Sequence, residues 1–156
     1  MTITPFTAPS TGRQTIALVG WLALCFAAAG SAVFVSTDGW YAVLHKPSWN
    51  PPAWVFGPAW SLLYVSMAAA AWFVWREGGW ETQRKALLNA LWTPLFFGMH
   101  RPGLALAEII VLWLAIAATL ASFWRVSKIA GVLLAPYLAW VSFAAVLNAA
   151  IWRLNP

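Results

Sequence analysis

The sequence predicts an all-α membrane protein, a single bundle of five transmembrane helices, and its composition, the length of its apolar blocks and their number carry that prediction. Of 156 residues, 62% are hydrophobic and 8% charged, against roughly 25% charged in an average soluble domain. Too few polar residues remain to cover an outer surface in water, so that surface must be apolar and lipid must be its solvent. Apolar blocks fall at about 14–35, 53–75, 83–100, 103–124 and 129–152. At 1.5 Å rise per residue, about 20 residues cross a hydrocarbon core of about 30 Å.

Taken in order, residues 1–13 are polar, carry Pro5 and Pro9 and show no periodicity, so they read as a disordered tail ahead of one transmembrane domain, 14–156. In the first block, Arg13 precedes an apolar run that ends in small residues, which is also the pattern of a signal peptide. The run is long for one, and it reads as a span. The second block starts after a proline pair, with Asn50 as a natural cap and Pro52 suited to a first helical turn. The third, Ala86 to Met99, is short and needs Gln83 to Lys85 and His100 as interfacial ends. The fourth and fifth span comfortably, and Pro94 and Pro136 interrupt the third and fifth.

The net charge of +5 comes from nine Lys and Arg spread between apolar runs, with no basic patch, so no nucleic-acid partner is expected. Five crossings put Arg13, Arg76, Arg84, Lys85, Arg125 and Lys128 on one side, and Lys46, Arg101 and Arg153 on the other. By the positive-inside rule the first set is cytoplasmic. A lone Cys25 excludes an intramolecular disulfide and a cysteine metal cluster, and no metal site or obligatory cofactor is expected.

The loop at 36–52 and the start of the second span differ from the rest. Asp38 to Trp60 is dense in tryptophan (Trp40, Trp49, Trp54, Trp60) and in proline (Pro47, Pro51, Pro52, Pro58), so the stretch before Ala53 is compact and stiff. Trp21, Trp72, Trp75, Trp80, Trp124 and Trp152 read as an interfacial belt. Trp49, Trp54 and Trp60 cannot all face lipid at one depth, and a rigid aromatic cavity beneath the loop suits a large, flat, apolar ligand. Asn89 and Asn148 place carboxamides within spans, where interhelical hydrogen bonding or ligand contact satisfies them. Glu108 lies close enough to Gly103 for a shallow position. His45 and His100 read as interfacial.

Three blocks, WYAVLHKPSWNPPAWVFGPAW at Trp40 to Trp60, LNALWTPLFFG at Leu88 to Gly98, and PYLAW followed by LN at Pro136 to Asn148, resemble the translocator protein family, also called tryptophan-rich sensory proteins or peripheral benzodiazepine receptors. The resemblance implies a five-helix bundle, usually a homodimer, with a cavity closed by the first loop. It implies porphyrin ligands such as protoporphyrin IX, sterols in some members, and synthetic benzodiazepine-site compounds. By motif position, Trp60 and Trp140 correspond to tryptophans implicated in porphyrin binding and light-dependent breakdown, and Tyr41, Trp49, Asn89, Trp92 and Asn148 to cavity or loop-anchoring positions. The vertebrate sterol motif requires a Tyr in the fifth helix, whereas Leu147 to Arg153 reads LNAAIWR and has none.

A porphyrin is flat and apolar but carries propionates, and Lys46, Arg101 and Arg153 at the mouth offer counter-charges. The leading expectation is a tetrapyrrole-binding sensor or transport-type protein in a bacterial membrane rather than a mitochondrial one. The alternatives are a light-dependent porphyrin-degrading protein, using Trp60 and Trp140, and a structural membrane scaffold. Neither paired carboxylates nor a nucleophile beside a base appears, so acid–base or hydrolytic chemistry is not expected. Small residues such as Ala86 and Ala90 offer a stripe for dimer packing.

Overall fold

The computed structural model describes residues 9–31, 44–90 and 102–155. Its regular structure among these residues is helical: α1 (Thr11–Ser31), a 3-10 turn (Ala53–Val55), α2 (Phe56–Ala90), α3 (Pro102–Val126) and α4 (Lys128–Leu154). Among the described residues three helical segments are long and apolar enough to cross a membrane, Ala53–Glu77, Glu108–Val126 and Lys128–Leu154.

Local chemistry sets several helix ends. Pro52 precedes the 3-10 turn and accepts the Val55 N–H at 3.0 Å. Asn50 is not a side-chain cap: its own N–H donates to the Pro47 carbonyl at 2.9 Å and its Nδ2 to the Pro51 carbonyl at 3.0 Å. Pro102 opens α3, where a missing N–H costs nothing. Only Ser127, in an extended conformation, separates α3 from α4, and its N–H donates to the Phe123 carbonyl at 2.7 Å.

The helices pack around α2, which touches α1, α3 and α4; the most extensive interface joins α3 to α4. Trp21, Ala68, Ala70, Ala71, Val74, Phe123, Ala130 and Leu134 form one core cluster, and Leu63, Ile116, Tyr137 and Val141 a second. The Trp72 Nε1 donates to the Gln14 carbonyl at 2.9 Å, and Phe26 meets Tyr64, so α1 runs antiparallel to α2. Pairing of Leu63 with Ile116 and of Glu77 with Ser127 makes α2 and α3 parallel, with α4 returning beside them. One end of the bundle therefore gathers Gln14, Arg76, Glu77 and the Arg125 to Lys128 corner, while the other gathers the 44–52 loop and Arg153. This is the grouping that the charge distribution anticipates for the described residues; Arg101 lies outside them.

Several expectations are corrected. Thr11 to Arg13, assigned to the tail, form the first turn of α1. The Arg76 to Lys85 loop is helical, and α2 carries on through the first part of the helix expected at 83–100. Despite Gly78 and Gly79, the stretch Glu81 to Ala90 is rich in Glu, Gln, Arg, Lys, Leu and Ala, all strong helix formers. The remainder of that block, 91–101, lies outside the described residues, so they contain four α-helices rather than five. Trp21 and Trp75 are buried in the bundle instead of belonging to an interfacial belt, whereas Trp124 and Trp152 are exposed. Trp72 is half-buried, with the Arg76 guanidinium 4.9 Å from its ring centroid and 5.0 Å from that of Phe73. Glu108 lies within α3, more than one turn after its first residue Pro102.

Candidate functional site

An aromatic chain leads from the loop into the interface between α2 and α4. Trp49, in the turn closed by Pro47 and Asn50, sets its ring edge-on to Phe143 of α4, with centroids 5.9 Å apart. Phe143 lies 5.8 Å from Trp140, and Trp140 in turn meets Phe56, the first residue of α2, edge-on at 5.8 Å. Residues three apart on a helix share a face, so Trp140 and Phe143 present one aromatic surface. Such offset and edge-to-face pairs contribute about 0.5–1.5 kcal/mol each beyond area burial.

Below this chain, Ala59, Leu62 and Leu63 of α2 face Pro136, Ala139, Trp140 and Phe143 of α4 across a groove of about 390 Å³. Its lining is mostly apolar, and the small side chains of Ala59 and Ala139 leave the space that Trp140 walls. Pro136 within α4 cannot donate to the Val132 carbonyl, so the helix lacks one rung of its ladder beside the groove. That volume falls in the range of small-molecule pockets, about 300–1,000 Å³.

Trp60 and Trp140 both pack on the second core cluster, but only Trp140 lines the groove. The Trp60 ring stacks on Tyr64 at 5.5 Å with an interplanar angle of 27° and meets Tyr137 at 6.3 Å. Of the two tryptophans paired by the sequence reading, Trp140 is the one in the groove wall. Trp54, in the 3-10 turn, is 74% exposed and joins neither group. Asn148 is half-buried on α4, one helical stripe with Tyr137 and Val141, and its Oδ1 is buried without a partner among the described residues. Tyr41, Trp92 and Arg101 lie outside the described residues, as does the side chain of Asn89. Lys46 is half-buried in the loop and Arg153 is exposed at the same end of the bundle.

Sequence reasoning missed three contributors. Phe56 and Phe143 complete the aromatic chain, and their spacing from Trp60 and Trp140 was the available sign. Asn155 was the third. Its Oδ1 accepts the His45 N–H at 3.0 Å while its Nδ2 donates to the His45 carbonyl at 2.9 Å and to the Ile151 carbonyl at 2.8 Å. An Asn just past the last apolar turn is a common helix stop, which hides this second role.

Residues 17–153 match the model of the TspO/MBR family. Protein CrtK of Rhodobacter capsulatus is 39% identical, covering 91% of this chain and 94% of its own length. The tryptophan-rich sensory protein of Cereibacter sphaeroides is 44% identical over 86% of this chain and 89% of its own. The translocator protein of Homo sapiens is 42% identical, with 78% and 79% covered. Together with helices apolar enough to cross a bilayer, these matches lead to one conclusion: the chain is a membrane protein that belongs to the TspO/MBR family.

Proposed function

We propose that this protein binds a tetrapyrrole such as protoporphyrin IX in the groove between α2 and α4 and acts as a membrane sensor or transport-type protein. The observation that carries the reading is the apolar groove walled by Trp140 and Phe143, with Trp49 at its rim. A flat macrocycle gains both area burial and ring-edge contacts there. Lys46 and Arg153 stand at the loop end of the bundle, where propionates emerging from the groove meet water and cations.

The complete bundle in this proposal has five crossings. The parallel course of α2 and α3 supports it, since two parallel spans in one chain require an intervening crossing. A bacterial membrane and a homodimer complete the reading; crosslinking in bilayers that yields monomer alone would remove the dimer from it.

A titration of intrinsic tryptophan fluorescence with protoporphyrin IX in the dark tests the site. Saturable quenching is expected, and Trp140→Phe weakens binding more than Trp60→Phe, since only Trp140 lines the groove. Absence of saturable quenching, or equal effects of the two substitutions, would refute it. Position in the groove wall also favours a second reading, light-dependent breakdown of the bound pigment at Trp140. At pigment levels that saturate the variant in the dark, this predicts pigment loss under illumination that Trp140→Phe suppresses. A scaffold without a ligand predicts neither effect.

A further inference from the structure

The 44–52 segment and the turn that leads from it into α2 lie along the last turns of α4 as a strap with three attachments. Phe56 meets Trp140, Trp49 meets Phe143, and His45 is bound by Asn155. From Trp140 to Asn155 the chain rises about 22 Å at helical pitch, so the attachments are spread along the helix rather than clustered. The two aromatic attachments are apolar ring contacts at the groove. The third is a pair of hydrogen bonds at the far tip.

We infer that Asn155 is a positioning residue: its side chain latches the strap onto α4 and sets how often Trp49 leaves the rim of the groove. The chemistry of the latch is specific. A carboxamide offers one acceptor and two N–H donors on a planar group. Asn155 uses the acceptor for the His45 N–H, one donor for the His45 carbonyl and the other for the Ile151 carbonyl. It thus completes the backbone of a residue 110 positions away in the chain as a neighbouring strand would, while anchored to the end of its own helix. Only the main chain of His45 takes part, so the imidazole is dispensable to the latch. The functional consequence rests on the groove being the binding site proposed above, because Phe143 belongs both to the groove wall and to the seat of Trp49.

Hydrogen–deuterium exchange of the ligand-free protein in lipid nanodiscs tests the latch without any ligand. Asn155→Ala is expected to speed exchange of the segment from His45 to Asn50 by about tenfold, the effect of losing two exposed hydrogen bonds. Core amides of α2, α3 and α4 keep their rates. Asn155→Asp keeps the acceptor but loses both donors, and falls between. His45→Ala behaves as the parent protein does. Unchanged strap exchange in Asn155→Ala, or an equal acceleration throughout the bundle, would overturn the inference.

Stopped-flow quenching with protoporphyrin IX then reads the consequence. Association and dissociation both accelerate in Asn155→Ala, with little change in affinity, because a latch closed in both free and bound protein alters the barrier alone. A faster strap with unchanged ligand rates would overturn the link to the groove. If the parent protein binds no protoporphyrin IX while the strap still responds to Asn155→Ala, the proposed function fails and the latch stands.

Discussion

Replacing Gly131 by Ala is expected to destabilise the bundle, and the effect should reverse when Trp124 is also removed. Gly131 is buried where α3 turns into α4, and its N–H donates to the Ser127 carbonyl at 3.1 Å. A methyl group there would run into the Trp124 ring, with Cδ2 at 3.0 Å and Cβ at 3.1 Å. Forcing extra volume into packed contact costs about 1–3 kcal/mol. Ala in place of Gly within a helix contributes about 1 kcal/mol in the opposite sense. The net loss is therefore about 0–2 kcal/mol, towards the low end because Trp124 is 46% exposed and has room to turn. With Trp124→Ala as background the ring contact is gone and only the Cβ contact at 3.1 Å remains, so Gly131→Ala should stabilise by up to about 1 kcal/mol. The four proteins of the cycle can be compared by unfolding in mixed micelles of increasing sodium dodecyl sulfate, followed by circular dichroism. A coupling of about 1–3 kcal/mol is expected. Equal costs of Gly131→Ala in both backgrounds would show that the ring contact does not govern the corner.

Two other outcomes follow from the same contacts. In a Cys25→Ser background, Lys128→Cys and Arg153→Cys should be labelled by a membrane-impermeant maleimide from opposite sides of sealed vesicles, since their helix ends lie at opposite ends of the bundle; labelling from one side would contradict the topology. Trp54→Ala should shift stability by less than about 0.5 kcal/mol, as for an ordinary surface position. Trp49→Ala should cost at least about 0.5–1.5 kcal/mol through the lost ring pair with Phe143, and thermal unfolding that ranks the two the other way would reject the strap.

Most of the helices, and which described cations share an end of the bundle, were legible because lipid imposes length and charge rules on every span. Block lengths place α3 and α4 within a few residues of Pro102–Val126 and Lys128–Leu154. The continuation of α2 past Arg76 was not legible, because a short polar stretch between apolar blocks reads as a loop whether or not its residues favour a helix. Tryptophan shows the same limit: amphipathic indole suits an interface and a core equally, and only packing distinguishes exposed Trp152 from buried Trp75. At the candidate site, Trp49 was legible through the density of aromatic and proline residues around it, and Trp140 through the family resemblance of its motif. The place of Trp60 outside the groove wall was not, since it depends on which face of α2 turns towards α4. The latch was hidden altogether, because a contact between residues 45 and 155 leaves no periodic trace.

The alanines of α2 give the molecule unequal ends. Ala68 and Ala70, like Ala130 on α4, have no exposed surface, so helix backbones meet there across methyl groups. A methyl group has no alternative rotamer to adopt, and the helices can separate at that point only if their backbones part. Towards the loop, Trp60, Trp140 and Phe143 fill the corresponding places with rings that can swing about their own bonds. The end of the bundle near Val74 is thus joined through rigid methyl contacts, and the strap end through rings with rotamers to spare, so a ligand that parts the helices is expected to displace the loop end more than the Glu77–Ser127 end.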